Sequence, residues 1–152
     1  MDARFAGVVN SLHAKYEELM AMEPVTIDTA PLGPQGGVYM FSRGGQHLYA
    51  GRTKRRIRDR LRAHVDATAD DCPFAWRLAR EATRHPPAYK KAGGQKELLT
   101  DPDFRAAYSD AKRQIREMDV RFVAESDPLK QALLEIYVAV VTGAKHNDFG
   151  TH

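Results

Sequence analysis

The densest chemical signal in this 152-residue chain is a run of cations. Between Arg43 and His64 lie Arg43, Arg52, Lys54, Arg55, Arg56, Arg58, Arg60 and Arg62, opposed by Asp59 alone. That segment carries +7 within a formal total of +3, which leaves −4 for the rest of the chain. Such an asymmetry suits contact with a polyanion, and it also suits a solvated helix face. Glu135 is the second signal. It sits among Leu133, Leu134, Ile136 and Val138, where a carboxylate is costly unless it meets a partner arginine, reaches solvent or binds a metal ion. Two tyrosines, Tyr39 and Tyr49, bracket Arg43-Gly44-Gly45. Lesser candidates are His146, Asp148 and His152, which could imitate a metal cluster or simply be solvated at a frayed end. Trp76 could stack on a base or anchor a core. His47 could bond in a cleft or face solvent. Cys72 has no Cys or His at fixed spacing and reads as inert.

The elements that must position these residues follow from periodicity. Phe5, Val8, Val9, Leu12, Tyr16, Leu19 and Met20 recur at helical spacing, so residues 1–22 read as an amphipathic N-terminal helix. Its stripe could dock on the domain or on a second copy of the chain through residues 3–22. Residues 23–36, with Pro24, Pro31, Gly33, Pro34 and Gly36, read as a connector. Residues 38–42 and 46–50 form a β-hairpin around the glycine pair. A two-residue turn pairs Tyr39 with Ala50 and separates the tyrosines, whereas a three-residue turn pairs Tyr39 with Tyr49 on one face.

A helix is expected from about Arg55 to Thr68, with Ile57, Leu61 and Val65 on one stripe and Arg56, Arg60 and His64 on the next. Asp70-Asp71-Cys72-Pro73 caps a helix over 74–83, and Asp101-Pro102 opens another through about Glu117 that buries Phe104, Tyr108, Ala111 and Ile115. A loop spans His85 to Gly94. Residues 119–125 alternate as a third strand, with Val120, Phe122 and Ala124 on one face. Ser126-Asp127-Pro128 opens a last helix, apolar almost all round, which Gly143 stops. It reads as a central core helix, followed by a polar tail.

Length and composition suit one domain with one core. A single cysteine rules out an intramolecular disulfide and favours a reducing compartment. With no apolar run of about 18 residues and no signal-like N-terminus, a cytoplasmic protein with no membrane contact is expected.

Gly37-Val38-Tyr39, ten residues before Tyr49-Ala50-Gly51, followed by Arg60-Leu61-Arg62-Ala63-His64, then Glu135 and Asn147, resembles the GIY-YIG nuclease family. The likeness runs from Gly36 to about His152 in order, with interruptions. Val38 and Ala50 stand where the eponymous isoleucines would be, and residues 66–118 form a helical insertion within a 37–152 domain. One extra residue separates Tyr49 from Arg60, so Arg58 is a rival for the family arginine. The resemblance implies an α/β (α+β) fold with a small, mainly antiparallel three-stranded sheet flanked by helices, plus the extra N-terminal helix. It implies that Tyr39, Tyr49, Arg60, Glu135 and Asn147 make the catalytic set, Asn147 as a brace more than a reacting group, that Glu135 holds the metal, and that Arg52, Arg56 and His64 bind substrate. Both tyrosines should then face one site, which selects the three-residue turn.

The activity implied is Mg²⁺-dependent DNA endonuclease action, with Mn²⁺ as a substitute ion. Phosphodiester hydrolysis suits these residue types. A carboxylate holds a largely hydrated Mg²⁺, a planar guanidinium clamps non-bridging oxygens, and a tyrosine assists the attacking water. The alternative is a nucleic-acid-binding module of the same fold that no longer cuts. No zinc-finger or helix-turn-helix spacing accompanies it, so sequence-specific reading by this chain alone is not expected.

Overall fold

A computed structural model describes residues 1–85 and 95–147. Most of the 85–94 loop, along with Asp148 and His152, lies outside the described residues. The fold is mixed α/β: α1 (Ala3–Ala21), β1 (Gln35–Arg43), β2 (Gln46–Arg56), α2 (Ile57–Ala63), α3 (Pro73–Thr83), α4 (Gln95–Thr100), α5 (Pro102–Glu117), β3 (Asp119–Ala124) and α6 (Pro128–Thr142). Two compact units divide the described chain. One combines Met1–Leu61 with Met118–Asn147; the other holds Arg62–Glu117, most of the segment read as an insertion. No described helix is long and apolar enough to cross a membrane.

In the first unit the sheet runs β2-β1-β3, antiparallel throughout. The hairpin corrects the expected register. Gly44 and Gly45, at φ of 58° and 78°, make a two-residue turn that pairs Arg43 with Gln46. Positive φ at both central positions matches the right-handed twist of the strands and suits glycine. A register shift then leaves Leu48 as an extra residue, so Phe41 opposes Tyr49 and Tyr39 opposes Gly51. The bulge does what the longer turn was expected to do: it returns Tyr39 and Tyr49 to the same face. Gly37 is required by the neighbouring strand, because a Cβ there would lie 2.2 Å from the Val123 carbonyl oxygen.

One sheet face packs Val38, Met40, Ala50 and Val123 against Leu134, Val138 and Ala139 of α6 and Leu12 and Leu19 of α1. Burying each larger aliphatic side chain is worth about 1.5–3 kcal/mol. Tyr39, Phe41 and Val120 are buried on the opposite face. β3 therefore buries Val120 and Val123 on its two sides, and the expected alternation fails at exposed Ala124. A sheet covered on both faces has no polar face to mark in the sequence.

Helix α6 begins as expected, with Asp127 accepting from the N–H groups of Leu129 and Lys130 and Pro128 at its first turn; Gly143, in the left-handed region, ends it. It is not central, however. Leu129, Ile136, Val140 and Val141 are exposed, because the sheet and α1 together cover only one side of the helix. Helix α1 contributes Leu12 and Leu19 to the core, while Phe5 stays half exposed. His13 Nδ1 and the Tyr137 hydroxyl meet at 2.7 Å, which fixes α1 against α6.

The arginine helix is shorter than expected. Strand β2 continues to Arg56, which pairs with Gln35, and α2 covers only Ile57–Ala63. Its first N–H groups have partners in the connector: Ile57 donates to Pro34 O and Arg58 to Leu32 O. The connector also makes an isolated bridge, Val25 to Val120.

In the second unit α3 packs on α5. The Trp76 ring lies 5.0 Å from Phe104 and 5.2 Å from Tyr108, and its Nε1 donates to Asp70 O. Trp76 is thus a buried anchor, not a stacking platform. Lys112 is buried too. Its Nζ donates to the carbonyls of Asp66 and Ala69 and sits 4.3 Å from the Tyr108 ring centre. Cys72 occupies the α3 N-cap position without a side-chain cap bond, and is buried. The short α4 falls where no helix was expected.

Candidate active site

A cavity of about 340 Å³ in the first unit is lined by Tyr39, Tyr49, Gly51, Arg52, Thr53, Lys54, Arg60, Gln131 and Glu135. Two tyrosines, the helix arginine and the misfit glutamate, drawn from β1, β2, α2 and α6, therefore share one wall. Register explains how. Tyr39 and Tyr49 project from one sheet face, while Arg52, opposite Val38, projects from the face that α6 covers. Gly51 lies between these groups at the edge strand. A Cβ on Gly51 would lie 2.4 Å from both the ring Cζ and the hydroxyl of Tyr39. The bare backbone is what admits the phenol.

Arg60 Nε donates to the Tyr39 hydroxyl at 3.2 Å. The two arginines are placed differently: Arg60 lines the cavity, whereas Arg58 has a buried Nε without a partner among the described residues. Burial pushes the Tyr39 phenol well above its ordinary value. Tyr49 adds to that rise, and Arg60 only partly opposes it. Burial thus favours the neutral form of Tyr39.

Glu135 is half-buried, with its side chain 24% exposed. Burial raises its carboxyl above the ordinary range, while Arg52 and then Arg60 pull it back. Arg52 Nε stands 2.9 Å from Glu135 Oε2. The buried acid thus has the arginine partner that its sequence context called for. One helical turn earlier, Gln131 is buried with its Nε2 donating to Glu125 O, while its Oε1 has no partner among the described residues. That carbonyl partner fixes the amide's orientation, since a flipped amide would oppose two oxygens.

Asn147 stands behind the cavity wall. Its Oδ1 accepts from Ala50 N at 2.7 Å and its Nδ2 donates to Ala50 O at 2.8 Å. With His146 N donating to Leu48 O, the expected polar tail runs along the outer edge of β2 as far as residue 147. Asn147 is a brace for the residue between Tyr49 and Gly51, and it does not line the cavity. Arg56 also points elsewhere, with Nη1 donating to Gly33 O. His64 belongs to the second unit and is fully buried. His47 bonds Ser42 Oγ through Nδ1 at 2.8 Å. No group of three or more His, Cys, Asp or Glu that could hold a metal occurs among the described residues; Asp148 and His152 lie outside them.

Gln131, Lys54 and Thr53 were not foreseen. A signal for Gln131 existed in its i−4 relation to Glu135; Lys54 was counted only as charge.

No protein-family model, curated protein or solved structure matches this chain.

Proposed function

We propose that this protein is a Mg²⁺-dependent endonuclease of the GIY-YIG kind that hydrolyses phosphodiester bonds in DNA. The observation that carries the reading is the sharing of one cavity by Tyr39, Tyr49, Arg60 and Glu135, residues scattered over 97 positions of sequence. Nothing in ordinary core packing calls for two phenols, an arginine and a carboxylate to meet.

The donor set suits a hydrated magnesium ion. Glu135 supplies carboxylate oxygens and Gln131 a buried carbonyl oxygen lacking a partner, and Mg²⁺ takes oxygen ligands, keeps several waters and needs only one or two carboxylates. When bound, the ion supplies Lewis-acid neutralisation of a leaving oxygen. The chain's own residues do the rest. Arg60, held by Tyr39, offers its planar guanidinium to non-bridging phosphate oxygens. Arg52 and Lys54 add positive charge at the cavity mouth. Tyr39, neutral and buried, assists the attacking water by hydrogen bonding and orientation; its raised pKa argues against a standing phenolate. Tyr49, which lines the same cavity, orients the phosphate.

The test is nicking of supercoiled plasmid and of branched DNA with Mg²⁺ or Mn²⁺, comparing wild type with Glu135→Ala and Arg60→Ala. Equal cutting by all three removes the proposal. A second reading, a nucleic-acid-binding module without cleavage, is favoured by the Arg52–Glu135 pair, which ties up the acid. Salt-sensitive binding with no metal-dependent product identifies it.

A further inference from the structure

We propose that Arg52 is a latch that couples the two cargoes of the site: it covers Glu135 until a phosphate backbone draws it away, so that nucleic acid must arrive before a divalent cation binds tightly. This rests on the reading of Glu135 as the cation ligand. The latch is visible as a charge-assisted contact, Nε to Oε2 at 2.9 Å. Its two partners differ in depth, the Arg52 side chain being 44% exposed and Glu135 24%. The arginine is therefore the partner that can swing toward solvent, while the acid stays in the wall.

Competition follows from charge. A guanidinium within hydrogen-bond distance of a carboxylate oxygen repels a dication approaching the same group, and the repulsion is strong because the site is partly shielded from water. The Glu135 side chain is only 24% exposed, so an ionised carboxylate there requires a positive neighbour, and either Arg52 or a metal ion fills that need. Phosphate is the competitor that releases it. Arginine carries five donors in a planar fork suited to phosphate oxygens, and Lys54 and Arg60 line the same cavity to help gather such an anion. The outcome is positive coupling between polyanion and cation, reciprocal by linkage.

The experiment measures Mn²⁺ binding by loss of the free-ion electron paramagnetic resonance signal. It uses the full chain, alone and saturated with a phosphorothioate-linked DNA duplex that resists hydrolysis. The Glu135→Gln protein with the same duplex gives the Mn²⁺ held by DNA itself. Wild type alone should bind Mn²⁺ weakly, and the duplex should tighten Glu135-dependent binding about tenfold, within the usual range of coupling. Arg52→Gln alone should bind about as tightly as duplex-loaded wild type, with little further gain from the duplex. Arg52→Lys, which keeps the charge but loses the fork, should fall between. Equal Glu135-dependent Mn²⁺ affinity in wild type and Arg52→Gln, unmoved by duplex, overturns the latch and leaves the cation site standing. No Glu135-dependent uptake in any form overturns the latch and the nuclease reading together.

Discussion

The ring of Tyr39 fills the volume that a side chain at position 51 would need: a Cβ on Gly51 would come within 2.4 Å of the phenolic oxygen. The two residues are register partners on β1 and β2, so the glycine sets where the hydroxyl meets Arg60.

Gly51→Ala should therefore lose both stability and activity. Forcing a methyl into a filled site costs about 1–3 kcal/mol, and the displaced phenol would break its bond with Arg60. Denaturant titration should show the midpoint fall, and plasmid nicking should fall further than the loss of folded protein explains. A variant as stable and active as wild type would show that the phenol's placement is not under this constraint.

Arg60→Ala and Arg60→Lys should both cut slowly. Removing one preordered donor from a charge-developing site typically costs about 100-fold or more, and lysine cannot reproduce a planar fork. Arg58→Ala, altering a residue outside the cavity, should stay within about threefold of wild type in initial nicking rate, a residual of roughly 0.6 kcal/mol on the barrier.

Asn147→Ala removes two bonds to the Ala50 backbone at once. Each is worth about 0.5–1.5 kcal/mol, so unfolding by urea should begin about 1–3 kcal/mol sooner. Hydrogen exchange at the Ala50 amide should quicken more than at amides of β3.

Glu135→Gln should abolish cutting without destabilising the fold. The folded carboxyl lies above its ordinary 4.5, so ionised Glu135 costs stability; that cost sets in as pH rises past 4.5, where the unfolded chain ionises first, and is complete above the folded value. Glutamine removes the cost, and the exposed Arg52 rehydrates. At pH 7 the melting temperature should hold or rise by about 2 °C, and the difference should vanish as pH falls through the range where Glu135 takes its proton. A clear drop at pH 7 would mean that the ion pair outweighs burial.

His47 offers a second pH handle. Burial, then Arg121, lowers its pKa below the ordinary 6.5. The unfolded chain therefore takes up the proton first on acidification, and stability falls as pH drops through 6.5 and levels off below the folded value. Melting curves from pH 7.5 to 5 for wild type and His47→Gln should diverge in that window.

Much of the fold was legible because its signals are local. The Asp127-Pro128 start and Gly143 stop of α6, the glycine turn, and the buried Phe104, Tyr108, Ala111 and Ile115 of α5 all declare themselves within a few residues. The misses are tertiary in origin. The Leu48 bulge follows from how β2 meets β1, not from the turn. An all-round apolar helix does not say which side will find partners, which hid the exposure of Ile136 and Val140. At the candidate site, Tyr39, Tyr49, Arg60 and Glu135 came together as read, and Asn147 braces the Ala50 backbone. Arg56 ties down the connector, and His64 lies buried in the other unit. Spacing records which residues exist; only packing records which way they turn.

The stretch from Lys145 to Asn147 seals the rim of β2 with hydrogen bonds to His47, Leu48 and Ala50. An unsealed rim is an invitation to foreign strands. During synthesis this one stays open until Lys145 to Asn147 have left the ribosome. A nascent chain that stops short of Asn147 thus has adhesive β-structure and an unsupported hollow together, and the arrival of one short segment cures both.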